Sequence, residues 1–89
     1  MTALEQLTLT LCVRHGPGWQ FHSFDFSREG DTLVLHGALP ETMHFGRAAI
    51  DLNTGWLTFV DQDHRDGGDW ELKRVRLSDA ERAQLAETK

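Results

Sequence analysis

The sequence is poor in cysteine. Cys12 is the only cysteine among the 89 residues, so no disulfide can form within the chain. No Cys-x-x-Cys motif is present, which argues against a dithiol redox centre or a cysteine-based zinc site. Cys12 falls at a polar position in the alternation of residues 7–13, and we expect it to be a small structural side chain.

Long apolar runs are also missing. No stretch approaches the roughly 20 apolar residues that a membrane-spanning helix needs. No basic segment followed by an apolar core opens the chain, as it would in a signal peptide. These two observations predict a cytoplasmic protein that does not associate with membranes.

The sequence has no excess of basic residues. Its formal net charge is −5, whereas a general nucleic-acid binder presents a basic surface to the phosphates. Lys73, Arg74 and Arg76 do cluster near Trp70, whose ring could stack on a base. Five acidic residues between positions 61 and 71 precede this cluster and would repel a polyanion. The composition therefore argues against RNA or DNA as the partner.

Recognisable catalytic motifs are absent as well. The chain contains no glycine-rich phosphate loop, no nucleophile elbow and no His-Glu-x-x-His sequence. Ser23 lies beside His22, but no carboxylate is placed by sequence spacing to complete a triad. The sequence favours a binding protein over an enzyme.

What the chain does contain is alternating hydrophobicity, the pattern of half-buried strands. It predicts six strands in one domain, because 89 residues make a single core. The capping box Ser78-Asp79-Ala80-Glu81 predicts a C-terminal helix. The predicted strands cover residues 7–15, 19–28, 32–39, 42–53, 56–61 and 70–77, and the helix covers residues 79–87.

In three predicted strands the apolar residues change face part-way along. The changes fall at His22–Ser23, Gly46–Arg47 and Lys73–Arg74, and a β-bulge produces such a change. The first two lie beside His36 in the predicted pairing, and aligned bulges bend a sheet. We therefore expect a mainly β fold: a six-stranded antiparallel up-and-down meander, strongly curled into a small barrel or half-barrel, with one C-terminal helix.

The pairing of apolar residues also predicts a register for the strands. It sets Leu35 opposite both Phe24 and Ala48, and it sets Phe59 opposite Ile50. This register needs connections with an even number of residues, although the glycines at the predicted turns are typical of three-residue loops. We give the apolar pattern more weight, since a slip by one residue would turn each apolar set to the wrong face.

The strand at residues 56–61 is apolar on both of its faces. Trp56 and Val60 lie on the face away from the predicted core, next to Ala49 and with Val34 nearby. Such a surface is too apolar to stay bare. We therefore expect a protein-interaction module in which Val34, Ala49, Trp56 and Val60 bind a partner. A homodimer is the simplest form, since most soluble oligomers are symmetric, and a basic protein is an alternative partner.

Three histidines suggest a different function. His22, His36 and His44 occupy polar positions of adjacent predicted strands. Three imidazoles with an open fourth position match the ligand set of a catalytic zinc site. Together with Arg47, the same cluster could bind an anion instead. The alternative prediction is therefore a β domain that binds a small molecule or zinc, although no short-spaced metal motif supports it.

Overall fold

The computed structural model describes residues 2–16, 24–39, 44–61 and 70–88. In this part of the chain, five strands form one antiparallel sheet in the order β1-β2-β3-β4-β5. No helix within these ranges is long and apolar enough to cross a bilayer. The elements are α1 (Ala3–His15), β1 (Phe24–Glu29), β2 (Thr32–Leu39), β3 (His44–Asp51), β4 (Trp56–Asp61), β5 (Trp70–Arg76) and α2 (Asp79–Glu87).

The structure confirms a mainly β protein with an antiparallel meander and a C-terminal helix. The prediction of six strands is wrong, because the first predicted strand lies within α1. Alternate residues Leu7, Leu9 and Leu11 are apolar as in a strand, but Leu4, Leu7 and Leu11 also lie at helical spacing. Leu11 is buried whereas Val13, two residues later, is exposed, as the helical period requires.

Local hydrogen bonds explain why a threonine-rich segment is helical. The Thr2 side chain caps α1 by accepting a hydrogen bond from the Glu5 backbone N–H, 3.1 Å away. Within the helix, Thr8 Oγ1 donates to the Leu4 carbonyl at 2.7 Å, and Thr10 makes the same bond to the carbonyl four residues before it. The hydroxyl groups are thus satisfied by the helix itself.

The sheet is open and not strongly curled, which corrects the predicted barrel or half-barrel. In the pairing of β2 with β3, Gly46 and Arg47 directly oppose Gly37 and His36. The register is continuous through these residues, so the bulge predicted at Gly46–Arg47 does not form and cannot bend the sheet. The bulge predicted at residues 22–23 lies outside the described residues.

The register of β1 on β2 is shifted by two residues from the predicted one. Phe24 pairs with Gly37 rather than with Leu35. The reason is the turn: β1 ends at residue 29 and β2 begins at residue 32, so only two residues connect them, and Gly30 adopts a φ of 62°. A shift by two keeps each side chain on its predicted face.

β3 and β4 show the same two-residue shift. Phe59 pairs with Ala48 instead of Ile50, and Leu57 takes the place opposite Ile50. The predicted pair of Leu35 and Ala48 is present between β2 and β3. For these residues the predicted faces are therefore correct even where the predicted partners are not.

One irregularity does occur, between β4 and β5. Phe59 pairs with Lys73, whereas the next residue, Val60, pairs with Glu71. One residue of β5 is left over between these pairs, which is the arrangement of a β-bulge. The sequence predicted this bulge at Lys73–Arg74, slightly later in the strand.

Both helices contribute to a single core on one face of the sheet. The buried cluster consists of Leu11, Cys12, Leu33, Leu35, Ala48, Ile50, Leu57, Phe59, Leu77 and Leu85. The opposite face, which we call the outer face, is set by the alternation of side chains along each strand. It carries Asp25, Ser27, Glu29, Thr32, Val34, His36, Arg47, Ala49, Asp51, Trp56, Thr58, Val60, Glu71, Arg74 and Arg76.

Glu81 joins the end of α1 to the start of α2. Its Oε2 atom lies 2.7 Å from His15 Nε2 and 3.2 Å from Arg14 Nη1. Its Oε1 atom accepts a hydrogen bond from the Ser78 backbone N–H, which completes the capping box. Burial raises the pKa of Glu81, but the hydrogen bonds from Ser78 and the contact with His15 outweigh burial and lower the pKa to about 2.

This lowered pKa predicts an acid-sensitive contribution to stability. The carboxylate stabilises the fold fully above its ordinary pKa of 4.5, and the contribution is lost as the pH falls toward 2. We expect Glu81→Gln to lower the free energy of unfolding by about 1–2 kcal/mol at pH 7, the range of a charge-assisted hydrogen bond. The difference from the parent should shrink between pH 4.5 and 2.

Urea unfolding at several pH values between 7 and 2.5 measures this difference. Glu87→Gln is the matched control, because Glu87 is exposed in the last turn of the same helix. The control should follow the parent at every pH. A difference between Glu81→Gln and the parent that persists undiminished at the lowest pH would contradict the assignment.

Candidate functional site

The outer face brings together the four residues predicted to bind a partner. Val34 on β2 pairs with Ala49 on β3, and Ala49 pairs with Thr58 on β4. Trp56 and Val60 lie two residues before and after Thr58 and share its face. The four predicted residues therefore form one continuous patch.

This patch is less exposed than its apolar composition suggests. Val34 and Val60 expose only 2% and 7% of their surface, whereas Trp56 exposes 37%. A side chain that is already out of water adds little hydrophobic free energy when a partner covers it. Among these predicted contacts, Trp56 therefore has the most to gain from being covered.

Trp56 is flanked by two arginines of the edge strand β5. The guanidinium carbons of Arg74 and Arg76 each lie 5.8 Å from the centre of the Trp56 ring, within cation–π range. Arg74 Nε also donates a hydrogen bond to Glu71 Oε1 at 2.6 Å. Trp and Arg are the residue types that most often dominate the binding energy of interfaces. We call Trp56, Arg74 and Arg76 the Trp56 corner.

Charge changes sign across the outer face. Asp25 and Glu29 are exposed on β1, at one edge of the sheet. Arg74 and Arg76 are exposed on β5, at the opposite edge. Glu71 also lies on β5, where it is paired with Arg74, and Asp51 lies on the central strand. The two edges of the face therefore differ in net charge, acidic on β1 and basic on β5, with the Trp56 corner on the basic side.

The predicted zinc ligands are only partly described. His36 lies on the outer face opposite Arg47, and the backbone of His44 pairs with Leu39, one residue beyond its predicted partner. His22 lies outside the described residues. Within the described ranges, no group of three or more His, Cys, Asp or Glu residues is placed to hold a metal ion. The three-histidine site stays a prediction.

Arg47, the predicted anion ligand, lies on β3, the central strand of the sheet. It is half-buried on the outer face, between His36 on β2 and Val60 on β4. Arg47 therefore lies between His36 and the patch of Val34, Ala49, Trp56 and Val60. An anion-binding role for Arg47 stays a prediction.

Cys12 is fully buried between α1 and the sheet. Burial raises the pKa of its thiol to about 12, so the thiol is protonated at neutral pH. Only the thiolate is an effective nucleophile or metal ligand. Cys12 is therefore a packing residue, although it lies in a helix and not in the strand that the sequence predicts.

A groove at the start of α1 and the end of α2 has no counterpart in the sequence predictions. Its volume is about 430 Å³. It is formed by side chains that are distant in sequence, and no local motif marks it. The lining residues are Leu4, Arg28, Leu52, Arg82, Leu85, Ala86 and Thr88.

Comparison with known proteins does not place the chain in a family. No protein-family model, no curated protein and no solved structure matches it. The functional argument therefore comes from the chain's own residues, and the outer face with its Trp56 corner is the surface from which it starts.

Proposed function

We propose that this chain is a protein-interaction module without catalytic activity, and that it self-associates as a homodimer through the outer face. The observation that carries the proposal is the change of charge across this face, with the exposed Trp56 ring on the basic side. Complementary charges set the orientation of an interface, and a buried tryptophan supplies apolar contact area.

Symmetry selects one arrangement of two outer faces. In a homodimer with a twofold axis, the same patch is used by both copies. An axis parallel to the strands, passing through β3, lays β1 of each copy over β5 of the other. Glu29 then faces Arg76 of the second copy, and this contact occurs twice. Asp25 faces Glu71 of the second copy, but Glu71 is already paired with Arg74. Asp51 lies on the axis, where its carboxylate accepts hydrogen bonds from the turn that follows β3. An axis perpendicular to the strands would place each acidic edge over the other, which is unfavourable.

The size of the face sets the expected strength of the dimer. Five strands about 4.8 Å apart, with about eight residues rising 3.3 Å each, give a face of roughly 500 Å² per copy. Two copies can therefore bury at most about 1,000 Å², the lower limit for a specific interface. Because Val34 and Val60 are already buried, the gain comes mainly from Trp56 and the charged edges. We expect a dissociation constant in the micromolar range that weakens with added salt.

A charge-swap series tests the arrangement. Arg76→Glu and Glu29→Arg each replace two attractive contacts by two repulsive ones, so each variant should weaken dimerisation at least about tenfold. The double variant restores opposite charges at both contacts and should dimerise within about threefold of the parent. Sedimentation velocity over a range of protein concentrations measures the dissociation constants.

Glu87→Arg is the matched control, because it changes an exposed charge by the same amount on α2, away from the outer face. It should leave the dissociation constant unchanged. A parent protein that stays monomeric at about 1 mM would contradict the homodimer. A double variant that is no stronger than the single variants would contradict the twofold arrangement.

A further inference from the structure

The groove lies on the helix side of the sheet, away from the outer face. Its volume of about 430 Å³ falls within the range of small-molecule sites, roughly 300–1,000 Å³. Leu4 of α1, Leu52 of the turn after β3, and Leu85 and Ala86 of α2 form an aliphatic wall. Among the described residues that line the groove there is no aromatic side chain, so this wall suits a flexible aliphatic chain better than a flat ring.

Two guanidinium groups line the same groove: Arg28 of β1 and Arg82 of α2. Arg28 Nε donates to the Gly30 carbonyl at 3.1 Å, and Arg82 Nη2 donates to the Asn53 carbonyl at 2.9 Å. Each guanidinium carries five N–H donors, so each of these bonds fixes its orientation with only one of them. In the described part of the chain, neither arginine forms an ion pair with a carboxylate.

The charge of the groove follows from these arginines. α1 begins and α2 ends beside it, as the positions of Leu4 and Thr88 show. The helix ends carry opposite partial charges of about half a unit each, which offset one another. Among the described residues that line the groove, Arg28 and Arg82 are the only ones with a full charge, so this lining favours an anionic group.

We infer that this groove binds a medium-chain aliphatic carboxylate, with the carboxylate against Arg28 and Arg82 and the alkyl chain along the leucines. Guanidinium groups bind carboxylates through short, charge-assisted hydrogen bonds. Burying the alkyl chain contributes about 0.8 kcal/mol for each methylene group removed from water. The inference does not depend on the proposed homodimer, because the two surfaces lie on opposite faces of the sheet.

Titration of the full-length protein with decanoate, followed by amide chemical shifts in NMR, tests the site. We expect the largest shift changes at the amides of Leu4, Leu52 and Leu85. Decanol has the same chain without the charge, and decyltrimethylammonium has the opposite charge. Both should bind at least about tenfold more weakly than decanoate. Equal binding of decanol and decanoate, or shift changes confined to the outer face, would overturn the inference.

Arg28→Met removes the positive charge but keeps an unbranched apolar side chain, so it tests the contribution of the charge alone. It should weaken decanoate binding about tenfold and leave decanol binding unchanged. Arg82 is less suitable, since its side chain also lies against Gly55, where an added Cβ would approach it to 2.7 Å. Arg14→Met is the control, because Arg14 is exposed at the opposite end of α1 from Leu4, and it should leave decanoate affinity unchanged.

An unchanged decanoate affinity in Arg28→Met would overturn the assignment of the carboxylate position. If this variant does not fold, the comparison of decanoate with decanol on the parent protein still tests whether the groove recognises the carboxylate. The dimer series and the decanoate titration fail independently, because the first changes only Glu29 and Arg76.

Discussion

Replacing Leu11 by alanine should lower the free energy of unfolding by about 2–5 kcal/mol, the usual cost of emptying a leucine site in a core. Leu11 is fully buried in the cluster between α1 and the sheet. Val13 is 43% exposed, so Val13→Ala should cost less than about 1 kcal/mol. Urea unfolding of the two variants and the parent measures both values.

The contrast between these variants distinguishes a helix from a strand at the N-terminus. In a strand, residues two apart share a face, so Leu11 and Val13 would be buried to the same extent. In a helix, residues two apart point to nearly opposite sides. Similar losses for both variants would contradict the assignment of Ala3–His15 as a helix.

Phe59→Ala should have the largest effect of any single substitution in the sheet, about 3–5 kcal/mol. Phe59 is fully buried and is the largest side chain among the fully buried residues of the described chain. Because a domain of this size has a total stability of about 5–15 kcal/mol, a loss of this size removes a large part of it. Chemical denaturation at 15 °C, followed by circular dichroism, measures the loss.

The contact of Phe59 with the end of α1 can be tested separately. A Cβ added at Gly16 would lie 2.8 Å from Phe59 Cζ. The backbone φ of Gly16 is −124°, which any residue can adopt. We therefore expect Gly16→Ala to cost about 1–3 kcal/mol through overpacking alone. In a Phe59→Leu background the smaller side chain makes room, and the cost should fall by at least about 0.5 kcal/mol.

Gly30→Ala is the control for this cycle. Gly30 has a φ of 62°, and an added Cβ there would meet nothing within 4 Å. Its cost of about 1 kcal/mol comes from the backbone conformation and should be the same with or without Phe59→Leu. Additive losses for Gly16→Ala and Phe59→Leu would show that the two residues do not touch.

The meander could be predicted because its signals are local. β4 and α2 have the predicted bounds, since alternation marks the strand and the capping box at Ser78 and Glu81 marks the helix start. The curled shape could not be predicted in the same way. It depended on bulges, and the strand pairing passes through Gly46–Arg47 without one.

The N-terminal helix was missed because its sequence fits two periods. Leucines at every second position and threonines between them are typical of a strand. The observation that favours a helix is the cap: Thr2 followed three residues later by Glu5 is the spacing of a capping box. The hydroxyls of Thr8 and Thr10 bond to carbonyls four residues earlier, so these polar groups are satisfied within the helix.

In the candidate sites too, features set by neighbouring residues in the sequence could be predicted, and features set by long-range packing could not. The shared face of Val34, Ala49, Trp56 and Val60 could be predicted, because a register shift by two residues does not change faces. The burial of Val34 and Val60 could not be predicted, since it depends on packing between residues that are distant in sequence. The groove was not predictable at all, because Arg28 and Arg82 come together only when both helices pack on the same side.

Intermolecular contacts of Trp56 test the proposed association surface most directly. A twofold axis along β3 places the Trp56 ring of one copy over Thr32 of the other, because β4 then lies over β2. Isotope-filtered NMR of a mixture of labelled and unlabelled protein should show nuclear Overhauser effects between the Trp56 indole protons and the Thr32 methyl group of the second copy. A dimer whose intermolecular effects arise only from the helices or from the strand edges would contradict the account.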